Sequence, residues 1–288
     1  MPANMDLEDA ILNGLPPNTK QYEYKGLQNL WSLVSLEQER FRRDKTGKTS
    51  QYMLFTNIEN QTFLHDFDIS KHKSSWQLLD SYYPFAQVLL VRMLTYKDHE
   101  RAHMALVNLM IFKLSSMNGA NLELDWTGTA DIATPSRTKR ADQEVAPQEI
   151  PPGRSDQWPT LVIEAGFSES KSKLESDGRW WLVESHGDVK TALTIDVNRR
   201  RPEIVIQKWV PICTGQNRTR SQISPTLQQQ VVLSRQHDEQ EATVSNGPLV
   251  LPFQDLFLRP PGKAESDIEF TDSDLRELAE MVWKKQKF

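Results

Sequence analysis

A chain of 288 residues with 38% apolar content can form one large domain or two small ones, with much of its length left for surface and loops. The formal net charge of −5 excludes a global basic field that would gather nucleic acid without specificity. A lone cysteine, Cys213, excludes an internal disulfide and a cysteine zinc centre; the absence of a long apolar run excludes a membrane span, and the acidic start MPANMDLEDAILNG has no signal-peptide apolar region. The expectation is a cytoplasmic or nuclear protein, not secreted.

Residues 1–24 are polar and carry Pro16-Pro17, which reads as an arm with one short helix near Leu7–Leu12. Leu27, Leu30, Trp31 and Val34 recur at helical spacing, so Gly26–Arg43 is an amphipathic helix, broken by DKTGKTS. TGKTS lacks the first glycine of a phosphate loop and is read as a turn. Tyr52–Thr56 reads as a strand, Trp76–Tyr83 as a short helix ended by Pro84, and Gln87–Leu94 as an apolar strand. His99–Met117 is the clearest helix, with Asp98 as its cap and Asn118-Gly119 as its stop. Leu122–Trp126 alternates like a strand.

The segment 127–160 is polar and rich in proline, with short strands among loops. Leu161–Ala165 is an apolar strand that ends in an acid, Glu164; Glu169–Ser185 is a helix closing on Trp180 and Trp181; Val189–Val197 and Glu203–Val210 are strands. Residues 214–227 read as a loop. Gln230–Ser234 and Leu249–Leu258 read as late strands, the second interrupted by Pro252, and Thr271–Lys285 as a final helix. Basic clusters at Arg40–Lys48, Arg199-Arg200-Arg201, Arg218/Arg220 and Lys284–Lys287 read as solvated surface.

Two constellations could carry chemistry. His99-Glu100-Arg101-Ala102-His103 matches H-E-x-x-H, which on a helix puts two imidazoles on one face for zinc, with a glutamate as general base. Here it falls in a first helical turn behind Tyr96-Lys97-Asp98, where acids suit the helix dipole. The second is a pair of acids, Asp142 in KRAD and Glu164 22 residues later. Carboxylates delivered by neighbouring strands can hold a hard cation such as Mg²⁺.

The acid pair and its surroundings resemble the restriction-endonuclease-like superfamily, whose site is written P-D…(D/E)-x-K. The matching pieces are HERAH, GTADI, KRADQEVAP, WPTLVIEAGFSESKSKLESDGRWWL, VKTALTIDV and EIVIQKW, with PLVLPFQDLFLRP and ESDIEF near the C-terminus, over roughly Leu94–Trp283. The resemblance is closest to a group of uncharacterised fungal proteins and more remote to the bacterial Uma2-type nuclease group. It implies an α/β (α+β) core, a mixed central sheet flanked by helices, with N-terminal and C-terminal extensions: residues 1–90 as an extension packing on the core and 91–288 as the nuclease-like domain. It implies Asp142 and Glu164 as ligands of Mg²⁺ or Mn²⁺, the Ala165 carbonyl as a third ligand, and Glu100 as an outer carboxylate. The chain departs from the pattern at Gly166, where a lysine is expected. The helix after the acid offers Lys171 and Lys173 as stand-ins, with Arg179 and Lys190 further on.

The resemblance implies a phosphodiesterase acting on DNA or RNA. Its rivals are a non-catalytic member of the same fold, binding nucleic acid or a protein partner (a second copy of the chain included), and a zinc metallopeptidase working through HERAH. Trp158, Trp180 and Trp181 are either base-stacking surfaces or core. Asp131 ranks below Asp142 because GTADI reads as the strand before KRAD.

Overall fold

A computed structural model describes residues 11, 14–68, 70–93, 97–127, 131–167, 171–214, 222–236, 241–284 and 286. The architecture is mixed α and β, with two large sheets and flanking helices. The chain divides into two compact units: residues 1–96 with 131–140, and 97–130 with 141–288.

The first unit opens with β1 (Lys20–Glu23), α1 (Leu27–Arg43), β2 (Tyr52–Thr56), α2 (Asn60–Asp66), α3 (Lys73–Leu78), β3 (Leu79–Tyr83) and β4 (Val88–Arg92). Helix α1 forms as its periodicity predicts and buries Leu30, Val34 and Phe41. The expected helix Trp76–Tyr83 is corrected. Its first half is helical, but Leu79–Tyr83 is a strand, because those residues pair with β4 and bury against it. The chain leaves this unit for α4 (Lys97–Ser115) and β5 (Leu124–Thr127), then returns for β6 (Asp131–Ala133) and β7 (Thr138–Arg140). These two strands complete a six-stranded sheet of order β1-β2-β4-β3-β7-β6. Charge fixes β7 beside β3. Asp80 is buried between Arg137 at 3.9 Å and Lys139 at 4.0 Å, while Arg140 reaches Asp131 at 3.0 Å.

The second unit resumes at β8 (Gln143–Pro147), β9 (Leu161–Phe167), α5 (Lys171–Glu184), β10 (Thr191–Val197), β11 (Glu203–Thr214), β12 (Gln222–Ser234), β13 (Thr243–Ser245), β14 (Leu249–Leu251), α6 (Phe253–Phe257), β15 (Ile268–Phe270) and α7 (Asp272–Trp283). Its main sheet has the order β13-β12-β11-β10-β9-β8-β5. Strands β9 and β10 are parallel, joined through α5, as a crossover helix requires; β8 and β11 flank them antiparallel. The expected loop 214–227 is corrected at both ends. Thr214 and residues 222–227 belong to β11 and β12, which form a long antiparallel pair whose polar side chains hid the strand signal. The expected strand Leu249–Leu258 is also corrected: it stops at Leu251, and Pro252 caps a short helix.

Every residue of β9 and β10 is buried, so both of their faces are covered. Successive residues alternate faces. One face carries Ile163, Ala165, Leu193 and Ile195, all apolar and fully buried. The other carries Glu164, Thr194 and Asp196, and α5 lies there. Gly178 of α5 allows the approach: a Cβ on it would stand 3.3 Å from Thr194 Cγ2 and 3.4 Å from Trp209 Cδ1. A Gly178→Leu chain has no room for its side chain and is expected to lose about 1–3 kcal/mol in urea denaturation, the usual cost of overpacking.

Candidate functional site

The polar face of the second sheet is built by register. Glu164 on β9 lies opposite Thr194 on β10, Thr194 opposite Gln207 on β11, and Gln207 opposite Gln230 on β12. These side chains therefore share one face. Thr194 Oγ1 donates to Gln207 Oε1 at 3.1 Å, and Gln207 Nε2 donates to Gln230 Oε1 at 3.0 Å and to Glu175 Oε1 of α5 at 3.1 Å. A polar seam thus crosses four strands beneath a helix. Burial at this depth demands that each polar group find a partner, and the seam supplies them laterally.

Glu164 is 2% exposed. Its Oε1 accepts a hydrogen bond of 2.7 Å from Trp181 Nε1 on α5. Trp181 is fully buried and packs edge-on against Trp180 and Trp158, with ring centroids at 5.0 and 6.2 Å. Trp181 is therefore a core residue, and its indole orients the acid.

Asp142 sits between β7 and β8, 8% exposed. Its Oδ2 accepts from the Ala165 amide at 2.7 Å. Gln143 pairs with Ile163, and one further antiparallel step sets Asp142 opposite Glu164. The two acids named from sequence are thus neighbours in register, with the Asp142 carboxylate docked on the Ala165 amide. Asp196, two residues beyond Thr194 on the same face, is a third buried acid beside Gly166 in register. Among the described residues, these carboxylates do not make a group of three whose oxygens converge on one point.

Of the lysines, Lys171 is exposed at the start of α5, whereas Lys173 is 3% exposed and paired with Asp177, itself 1% exposed. Lys173, Asp177 and Trp181 follow at i, i+4 and i+8, so they line the helix face whose last member reaches Glu164. Lys190 donates to the Gly187 carbonyl at 2.6 Å, and Arg179 lies over the Trp209 ring at 4.9 Å. Neither is directed to Glu164 by any of these bonds. His99 and Glu100 form part of the first turn of α4, but their side chains lie outside the described residues; His103 is buried.

Asp177 and Asp196 were not singled out in the sequence. Both left a signal there: Asp177 stands four residues after Lys173, and Asp196 occupies the same strand parity as Thr194. Two cavities of the second unit, 410 Å³ beside Glu123, Pro147 and Arg259 and 470 Å³ beside His186, Lys190 and Asp255, are not lined by Asp142, Glu164 or Lys173. Glu164 lies beneath α5, and Asp142 is buried beside the Ala165 backbone.

Burial makes the Lys173–Asp177 pair costly to break. Asp177→Ala leaves an ammonium in a dry site, and a loss of about 3–5 kcal/mol is expected in chemical denaturation. The double change Lys173→Met with Asp177→Leu is expected to recover most of it.

No family model and no curated protein matches the chain. Among solved structures it is similar to one from Anabaena variabilis described as a candidate nuclease belonging to DUF820, at 11% identity and a TM-score of 0.36, over 69% of this chain and 90% of that one. A likeness this distant leaves the site to be read from its own geometry. No helix among the described residues is long and apolar enough to cross a membrane.

Proposed function

We propose that the second unit is a restriction-endonuclease-like domain whose acid pair, Asp142 and Glu164, holds Mg²⁺ or Mn²⁺ for hydrolysis of phosphodiester bonds in DNA or RNA. The observation that carries the reading is the docking of the Asp142 carboxylate on the Ala165 amide, which brings it opposite Glu164 on the neighbouring strand. The donor set fits the ion: two carboxylates and nearby backbone oxygen are hard ligands of the kind Mg²⁺ prefers. When bound, such an ion supplies an activated water and stabilises the charge that grows on the phosphate.

The chain's own residues do the positioning. The Trp181 indole holds Glu164 in one orientation, and the Ala165 amide does the same for Asp142. Lys173 shares a face of α5 with Trp181, two turns earlier and paired with Asp177, and is assigned the part of the lysine that Gly166 displaces. Arg199, Arg200 and Arg201 follow directly on the C-terminal end of β10; Arg199 lies over the Phe167 ring at 5.5 Å, at the matching end of β9. Cations at that end favour a polyanionic substrate despite the negative net charge.

A second reading has its own support. Glu164 and Lys173 are closed to solvent and already bonded within the fold, which suits a non-catalytic member that binds nucleic acid or protein.

Amide substitutions separate the two. Asp142→Asn and Glu164→Gln keep the acceptors for Ala165 and Trp181 but remove the charges. With plasmid, single-stranded DNA and RNA in Mg²⁺ or Mn²⁺, the wild type is expected to cleave at least one substrate. Each variant is expected to fall by about 100-fold or more, with its thermal midpoint near wild type. Equal cleavage by all three proteins sinks the metal site. Salt-sensitive binding without cleavage by the wild type selects the second reading.

A further inference from the structure

The first unit carries a different set of ligating side chains. His65 and Asp66 end α2, and His72 directly precedes α3. Each offers one ligand atom, and the three atoms lie within 4.8 Å of one another. Among the described residues this is the group of histidine, cysteine and acidic side chains that converges in this way. We propose that His65, Asp66 and His72 form a binding site for a zinc-class divalent cation, independent of the acid pair on the second sheet.

Chemistry selects the ion. Two imidazoles and one carboxylate suit Zn²⁺ and its first-row neighbours, whereas Mg²⁺ wants oxygen alone. In tetrahedral coordination, ligand atoms stand about 3.3 Å apart, as follows from metal–ligand bonds of about 2.0 Å. His65 Nδ1 and Asp66 Oδ1 are already 2.8 Å apart, so the closing movement belongs chiefly to His72. His65 is exposed, which leaves the fourth position to water.

The surroundings hold the ligands in place. Tyr24 donates its hydroxyl to the other oxygen of Asp66, the outer bond that a ligating carboxylate ordinarily receives. The Ser75 hydroxyl, buried, lies 2.7 Å from the Asp66 carbonyl and 3.0 Å from that of His72, which ties the two backbone positions together. The His72 amide donates to the Asp68 carbonyl at 2.7 Å and turns the chain back toward Asp66. The eight-residue span His65–His72 therefore returns its second histidine to the first, and a tyrosine from β1's C-terminal side fixes the carboxylate.

The test uses the full chain stripped of metal, with ZnCl₂ as the probe in equilibrium dialysis and Co²⁺ for its visible absorption. Uptake of about one equivalent of Zn²⁺ per chain is expected, with a tetrahedral Co²⁺ spectrum and no competition from excess Mg²⁺. His65→Ala and His72→Ala are expected to abolish it, and Tyr24→Phe to weaken it about tenfold. His65 is exposed and His72 half-buried, so the metal-free variants are expected to melt close to the metal-free wild type, and only the wild type gains a zinc-dependent rise in Tm. His103→Ala is expected to change nothing. No uptake by the wild type overturns the proposal. So does uptake that survives both His65→Ala and His72→Ala, or uptake lost in His103→Ala alone, which assigns the metal to the HERAH turn. Cleavage by the acid pair is unaffected by any of these results.

Discussion

A carboxylate in the middle of a fully buried strand has to be answered, and the answer organises the second unit. Glu164 cannot reach water, so it requires a donor from the layer above. Trp181 is that donor, and placing an indole there fixes the rotation of α5 about its axis. The same rotation lays Gly178 on Thr194 and drops Lys173 and Asp177 into the interface, where they must neutralise each other. One hydrogen bond thus determines which helix residues have to be small, which charged, and which aromatic.

The seam from Glu164 to Gln230 shows the same logic spread sideways. A sheet face under a helix is usually apolar, and this one sets Glu164, Thr194 and Gln207 among apolar neighbours such as Val162 and Ala192. Polar residues placed in register bond to each other across strands, from Thr194 through Gln207 to Gln230. A polar layer of this kind fixes strand register more tightly than alternating aliphatics do, because a slip by one residue would strand several groups at once. It also sets the acids of the proposed site in a rigid frame, which suits a metal centre and a structural lock equally well.

Much of the second unit was legible in the sequence. The apolar run Leu161–Ile163, the helix after it and the strand VKTALTIDV were read as strand, helix and strand, because buried strands and amphipathic helices leave strong periodic signals; that the two strands are parallel came from the structure. Asp142 and Glu164 were singled out through the resemblance; the register sets them opposite one another, with the Asp142 carboxylate on the Ala165 amide, and their role as ligands belongs to the proposal. The pairing of β11 with β12 was not, since residues 222–230 are mostly polar and their strand character comes from the partner. The switch from helix to strand at Leu79 was hidden for a related reason: tertiary pairing overrides a local pattern that fits either element. The gathering of His65, Asp66 and His72 depends on a turn that no periodicity reports.

The path of the chain through the first sheet has a consequence for synthesis. Strands β6 and β7 lie at residues 131–140, yet they complete a sheet whose other strands end by Arg92. When the first 96 residues have emerged from a ribosome, the edge of β3 is still open and Asp80 still lacks Arg137 and Lys139. An open sheet edge is a poor stopping point and a ready site for wrong pairing. The first unit can therefore close only after helix α4 and β5 of the second have been made. The two units are thus interlocked in the order of translation.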